Sequence, residues 1–323
     1  MNILVTGASG FVASHLMPAL LAKGFSVRAS SRKKTALVGV DWVESPELDA
    51  SADWRRALNG VDAVIHLAAR AHVPSETSGT DVERVYQRIN AEGTDILARQ
   101  AAGEGVAQFL FMSSCHAVAS ESNIALSEDT RPDPVTAYGR SKLAAEDVIR
   151  HAFGKVGGRF TILRPPLVYG SGNLANFARL IALVKSGIPL PFASVRNRRS
   201  FIGVQNLSDL ILKCLGNEKA LDRTFYPSDS ADVSTPTLIK SLAEAFEFRA
   251  RLFPFPEPLL RTAANLPGMS MLRKLMASLY VDSEPLKNDL GWVPALTLDQ
   301  GLRLIAPNPE EHNRDKAQDG AKK

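Results

Sequence analysis

Tyr138 and Lys142 stand four residues apart in the segment AYGRSK. On a helix that spacing puts both side chains on one face. A free tyrosine, with a pKa of about 10, is too weakly ionised to act as a base at neutral pH. A neighbouring lysine ammonium favours the phenolate and lowers that value. A tyrosine tuned in this way can give or take the proton of a carbinol while the electrons of a C–H bond leave the carbon. Ser113 and Ser114 close an apolar run upstream, and either hydroxyl can hold the reacting oxygen.

The electrons need an acceptor, and the first residues point to one. TGASGFVA, Thr6 to Ala13, lies between a strand-like run and a helical pattern. Gly7 and Gly10 let the backbone turn tightly, so that a pyrophosphate can rest on the helix N-terminus opened by Phe11 and Val12. Ala13 replaces the usual third glycine and is the smallest alternative for close helix–strand packing. An oxidised nicotinamide ring would add a second positive charge beside Tyr138. At the end of the second strand, where an NAD site usually carries Asp or Glu, the chain has Ser30, Ser31, Arg32, Lys33 and Lys34. Arg32 suits a 2′-phosphate, and a solvated basic loop is the equal alternative. Glu47 and Leu48 can flank the adenine. The cofactor expected is therefore NADP(H) or NAD(H), with a lean to NADP(H).

These residues need a scaffold. Short apolar runs at Ile3–Thr6, Phe25–Ser30, Ala63–Leu67, Phe109–Met112 and Phe160–Leu163 alternate with helical patterns at Phe11–Lys23, Val82–Ala102 and Thr136–Phe153. That alternation predicts an α/β fold, a Rossmann-type doubly wound parallel sheet, with a smaller C-terminal α/β substrate domain. The expected division is 1–165 for the cofactor domain and 166–307 for a proline-rich substrate domain interleaved with the sheet. A polar tail, 308–323, reads as disordered. No apolar run is long enough for a membrane span, and no secretory signal is read at the start, so the expectation is a cytoplasmic protein. Cys115 and Cys214 have no metal-ligand spacing, and no metal is expected. A net charge of +4 is too small for nucleic acid but suits an anionic small substrate.

Taken together, TGASGFVA, HLAA at His66, Asn90 with Gly93 and Thr94, FMSS at Phe111, YGRSK at Tyr138 and LRPPLVYG at Leu163 resemble the extended short-chain dehydrogenase/reductases, in the nucleotide-sugar epimerase/dehydratase family. The resemblance runs from Met1 to about Leu304. It implies Ser114 as the catalytic hydroxyl, Tyr138 as the acid/base, and Lys142 as the residue that binds the nicotinamide ribose and tunes Tyr138. It also implies that Leu67, Ala68, Ala69, Asn90 and Pro166 line the cofactor. In the uridine-diphosphate sugar branch, Asn176, Phe177 and Arg199 match the diphosphate contacts. His72 can touch the sugar or face solvent. Cys115 and His116 stand where the 4,6-dehydratases carry an Asp-Glu pair, which argues against elimination of water, and Leu167 replaces an asparagine common in the family.

The expected activity is hydride transfer at C4 of a UDP-sugar, leaning to reduction of a UDP-4-keto-6-deoxy-hexosamine. A UDP-sugar 4-epimerase acting on UDP-glucose or UDP-N-acetylglucosamine is the alternative. A reductase of small non-nucleotide carbonyls and a non-catalytic NADP-sensing protein are weaker rivals. The one partner expected is the UDP-sugar, and a homodimer is left open.

Overall fold

The computed structural model describes residues 1–306, apart from 35, 50, 71–79, 156, 158, 173, 174 and 230. The side chains of 80, 175 and 176 lie outside this description. His72 and the tail fall among the residues not described.

The strands in chain order are β1 (Asn2–Thr6), β2 (Ser26–Ser31), β3 (Val40–Glu44), β4 (Ala63–His66), β5 (Gln108–Met112), β6 (Arg159–Leu163), β7 (Leu167–Tyr169), β8 (Phe201–Gly203) and β9 (Arg223–Phe225). The helices are α1 (Phe11–Ala22), α2 (Arg55–Leu58), α3 (Thr80–Tyr86), α4 (Gly93–Gly103), α5 (Ala137–Gly154), α6 (Ala175–Lys185), α7 (Val204–Cys214), α8 (Thr235–Ala245), α9 (Glu257–Ala264), α10 (Ser270–Met276), α11 (Glu284–Leu290) and α12 (Leu298–Arg303).

Seven strands form one sheet in the order β3-β2-β1-β4-β5-β6-β9, and β7 pairs with β8 apart from it. Every pairing in the large sheet is parallel. Alternate residues of β1, β4, β5 and β6 feed two separate cores. Ile3, Val5, Ile65 and Leu110 join one face with α1 and α7. Leu4, Val64, Phe109 and Phe111 join the other with α4 and α5. This two-sided burial accounts for the continuously apolar strands. The strand order turns back between β1 and β4, and in such sheets ligands sit at the carboxyl ends of the strands at that point.

Two elements differ from the sequence expectation. β3 is half-exposed at the sheet edge and carries Asp41 and Glu44, so its sequence VDWVE does not read as a buried run. The helix expected over Val82–Ala102 is divided: a π-helical turn, Gln87–Glu92, joins α3 to α4. A wide turn of this type is often found where a helix must present a particular side chain, and here it presents the buried Asn90.

The chain forms two compact units. The first contains Met1–Val168, Ser200–Ser230 and Ser278–Ala295. The second contains Tyr169–Arg199, Ala231–Ala277 and the segment from Leu296 onward. Within the second unit, the ring of Phe177 packs edge-on against Tyr169 at 6.0 Å, and Gly301 lets α12 lie against the same tyrosine. Asn197 there donates to Thr235 Oγ1 and to the carbonyls of Leu275 and Ala277.

His66, at the end of β4, is 1% exposed and joins three elements of the first unit. Its Nδ1 lies 2.7 Å from Thr6 Oγ1 and its Nε2 lies 2.9 Å from Thr94 Oγ1. The Thr94 hydroxyl donates to Asn90 O at 2.6 Å, so it must accept from Nε2–H, and the bare Nδ1 then accepts from Thr6. Burial, reinforced by the charge of Lys142, pushes the imidazole down to about 3 from its usual 6.5. The unfolded chain therefore takes up a proton first as acid is added. This contribution to stability is complete above pH 6.5 and is lost as pH falls toward 3. It should cost about 2 kcal/mol between pH 7 and pH 5. Urea unfolding at those two pH values should show that loss in the natural chain and a clearly smaller one in His66→Gln; equal losses would remove His66 as the source.

Candidate active site

Ser113 and Ser114 follow β5 and are separated by their partners. Ser113 Oγ donates to Glu146 at 2.5 Å and is committed there. Ser114 caps the short 3-10 turn Cys115–Ala117, accepting from His116 N at 3.2 Å, and its hydroxyl is hydrogen-bonded to that of Tyr138. Of the two hydroxyls open to choice in the sequence, the structure brings Ser114 to the tyrosine.

Tyr138 lies in the first turn of α5, whose N-terminus is capped by Thr136 accepting from Gly139 N at 3.0 Å. Gly139 is needed for a steric reason that the sequence does not state. A Cβ there would fall within van der Waals contact of the His116 carbonyl oxygen, a backbone atom that cannot swing away. The close approach brings α5 onto the turn that carries Ser114. His116 packs its ring edge against Tyr138 at 6.5 Å, and Tyr86 does so at 6.1 Å. Cys115 is buried with Val118, Leu126, Tyr226 and Val281 as a packed core residue.

Lys142, one turn along α5, is 3% exposed, with its Nζ 4.2 Å from the centroid of the Phe111 ring. Burial pushes this ammonium down to about 7, while the carboxylate of Glu146 opposes the fall. Burial also pushes the Tyr138 phenol up to about 12, although its bond to Ser114 favours the phenolate. The sequence expectation was a lowered phenol. In the field of the polypeptide alone desolvation wins, and Cys115 and Tyr86 beside the ring add to it. The proton therefore rests on Tyr138, which is set to donate.

The glycine turn between β1 and α1 packs closely on the segment after β4. Gly7 has φ 68°, and a Cβ on it would lie 2.7 Å from Ala68 N and 2.8 Å from Ala68 Cα, against the segment that follows β4. Gly10 precedes α1 and supplies no side-chain cap, leaving the first-turn N–H groups available to an anion. Ser30 Oγ, at the end of β2, is buried with no hydrogen-bond partner among the described residues. Phe11 stacks edge-on against His15 at 5.5 Å, and Val12 packs on the core.

Leu67, Ala68 and Ala69 continue from β4, half-buried, and Pro166 is buried after β6. Asn90 spends both amide hydrogens inside the protein, on Arg70 O at 3.1 Å and Ser141 Oγ at 3.0 Å, and its oxygen accepts from Arg70 N at 2.7 Å. Ser141 in turn donates to Tyr138 O at 2.8 Å, so Asn90 holds the first turn of α5. Arg32 and Glu47 are exposed, and the backbone of Leu48 presses on Gly93. Sequence reading missed Glu44: it stands in register with Ser31 on the neighbouring strand, a carboxylate beside a strand end that carries none of its own.

In the second unit, Arg199 is half-buried and pinned through its backbone, which exchanges hydrogen bonds with Val233 at 3.0 and 2.9 Å. Its Nη1 donates to Lys274 O at 3.2 Å, whereas neighbouring Arg198 pairs with Asp232 at 2.8 Å. Phe177 is 2% exposed, so its ring belongs to the core and only its backbone can meet a ligand. The side chain of Asn176 lies outside the described residues. Among the described residues no three His, Cys, Asp or Glu side chains gather as metal ligands, and no helix is long and apolar enough to cross a membrane.

A glycine turn at the switch point of a parallel sheet, with Ser, Tyr and Lys gathered beyond β5, defines a nicotinamide-dependent enzyme of the short-chain dehydrogenase/reductase type. The chain matches the NAD dependent epimerase/dehydratase family over residues 3–225 and belongs to it. A UDP-glucose 4-epimerase of Vibrio cholerae is 35% identical over 314 residues, covering 94% of each chain. Among solved structures, the UDP-glucose 4-epimerase of Thermotoga maritima with UDP-glucose superposes with a TM-score of 0.75 at 22% identity, over 98% of this chain and 100% of that one. The UDP-glucuronic acid 4-epimerase of Bacillus cereus in complex with NAD gives 0.75 at 23% identity, over 94% and 95%.

Gly139→Ala should separate α5 from the Ser114 turn. Thermal or urea unfolding should register a loss of about 1–3 kcal/mol for this overpacking, with turnover falling as well. A variant as stable and active as the natural chain would show that the close approach is dispensable.

Proposed function

We propose that the chain interconverts the C4 epimers of a UDP-sugar. The observation that carries this reading is the buried hydrogen bond between the Ser114 and Tyr138 hydroxyls, with Lys142 one turn away on the same helix. A bound nicotinamide cofactor supplies the hydride acceptor and donor and, when oxidised, a positive charge that favours the phenolate. Ser114 holds the C4 oxygen. Tyr138 takes its proton as the alcohol is oxidised and returns it when the ketone is reduced on its other face. Lys142 binds the ribose and steadies the phenolate. A guanidinium fork such as that of Arg199 is well suited to a diphosphate. Cys115 and His116, in the positions after Ser114, give no carboxyl pair for eliminating water. The similarity to a 4-epimerase over nearly the whole chain supports the same reading.

Reduction of a UDP-4-keto-6-deoxy-hexosamine is the second reading, favoured by one feature. Ser31 at the end of β2 is tied to Lys33 O at 2.6 Å and to Trp42 Nε1 at 3.2 Å, and Arg32 follows it. That arrangement suits the 2′-phosphate of an exchangeable NADP(H), while Glu44 in register with Ser31 weighs toward NAD.

Two measurements test these assignments. Tyr138→Phe should lower turnover of UDP-glucose or UDP-N-acetylglucosamine by about two to four orders of magnitude while the fold is kept; near-normal turnover would end the assignment. Mass spectrometry of nucleotide released from the purified protein should find close to one NAD per chain. Little bound nucleotide, together with NADPH affinity selectively weakened in Arg32→Ala, would transfer the conclusion to the reductase.

A further inference from the structure

Glu146 lies on α5 one turn beyond Lys142 and two beyond Tyr138, with no exposed surface. Its carboxylate accepts from Ser113 Oγ at 2.5 Å and from Arg164 at 2.9 Å (Nε) and 2.6 Å (Nη2). Both terminal nitrogens of Arg150 approach it at 3.3 Å. Arg164 is 3% exposed and gives its other terminal nitrogen to the Tyr226 hydroxyl at 2.5 Å, while Arg150 reaches Thr224 Oγ1 at 3.1 Å. One carboxylate thus ties α5 to residues at or just beyond the ends of β5, β6 and β9.

Fastening alone does not call for charge. A buried ion pair is often no better for stability than apolar residues of the same volume. What an apolar pair cannot do is occupy the Ser113 hydroxyl or put a negative charge beside a buried ammonium. We propose that Glu146 is a positioning residue for the active site: clamped by Arg164, it holds Ser113 so that Ser114 alone meets Tyr138, and it gives the buried Lys142 its counter-charge. The inference rests on the reading above in placing Lys142 at the site, but it does not depend on which sugar is bound.

The charged and titratable groups around that end of α5 are few. His66 on β4 is neutral, and its titration is lowered in part by Lys142. Tyr138 on the same helix and Tyr86 on α3 are phenols, and the Arg70 guanidinium lies 5.7 Å over the Tyr86 ring. Cys115 and His116 occupy the 3-10 turn. Arg140 is paired with Glu83 of α3. Arg150 and Arg164 lie on the far side of the carboxylate, and Asp147 pairs outward with Arg150 at 3.5 Å. Glu146 is the group that opposes the desolvation of Lys142.

The test follows Lys142 directly, by NMR of the full chain labelled with 13C-lysine, with the signal assigned through Lys142→Arg. In Glu146→Gln the midpoint of Lys142 should fall by at least about half a pH unit. In Glu146→Asp, which keeps the charge, it should stay close to its natural value. Because glutamine leaves Arg164 buried without its counter-ion, the double variant Glu146→Gln with Arg164→Met is measured alongside and should show the same fall. An unchanged midpoint in either folded neutral variant would overturn the proposal. Failure of both to fold would do so too, by assigning the pair to the core rather than to the site. A normal shift in a protein inactive on UDP-sugars would leave this inference standing and count against the substrate reading alone.

Discussion

The site depends on one close approach of backbone to backbone, where α5 passes the His116 carbonyl at Gly139. Only a residue without a Cβ permits it. If the two were further apart, the hydroxyl on the helix and the hydroxyl on the turn would not share a hydrogen bond. The other fastenings follow from that crossing. Thr136 caps the helix where it begins, Asn90 holds its first turn through Ser141, and the Glu146–Arg164 pair secures it two turns on. Each acts at a different height along α5, so the helix is fixed in rotation as well as in position.

The electrostatics of the site come mainly from exclusion of water. Desolvation lowers the lysine and the histidine and raises the tyrosine, driving all three toward their neutral forms. Among groups this deeply buried, any charge introduced with a ligand acts strongly, since little solvent screens it. Against this background one carboxylate near Lys142 has more influence than its single charge would have at the surface.

Much of this was legible in the sequence. The parallel strands announced themselves because both their faces are buried and their runs are unbroken. Gly7 and Gly10 were readable from strand–turn–helix context, and Tyr138 and Lys142 from helical spacing. What stayed hidden depends on partners distant in the chain. Ser113 and Ser114 are chemically alike until Glu146 claims the first of them. β3 was missed because an edge strand carries charges on its open side, and with it went Glu44, whose place beside Ser31 is a matter of register. The π turn around Asn90 has no composition of its own and continues a helical pattern on either side. The sign of the Tyr138 shift could not be read from spacing, since it is decided by how much water the fold removes.

Neither unit is a single stretch of chain. The backbone passes from one to the other after Val168, Arg199, Ser230, Ala277 and Ala295. A genetic exchange with one crossover point can therefore never transplant the second unit by itself, and no truncation from either terminus isolates the first. Exchange of the second unit alone needs replacement of one segment at a time at these junctions. The same arrangement means that the ribosome releases Trp292, part of the first unit's core, only after two of the second unit's three segments have emerged, so the first unit cannot finish folding before those segments are made.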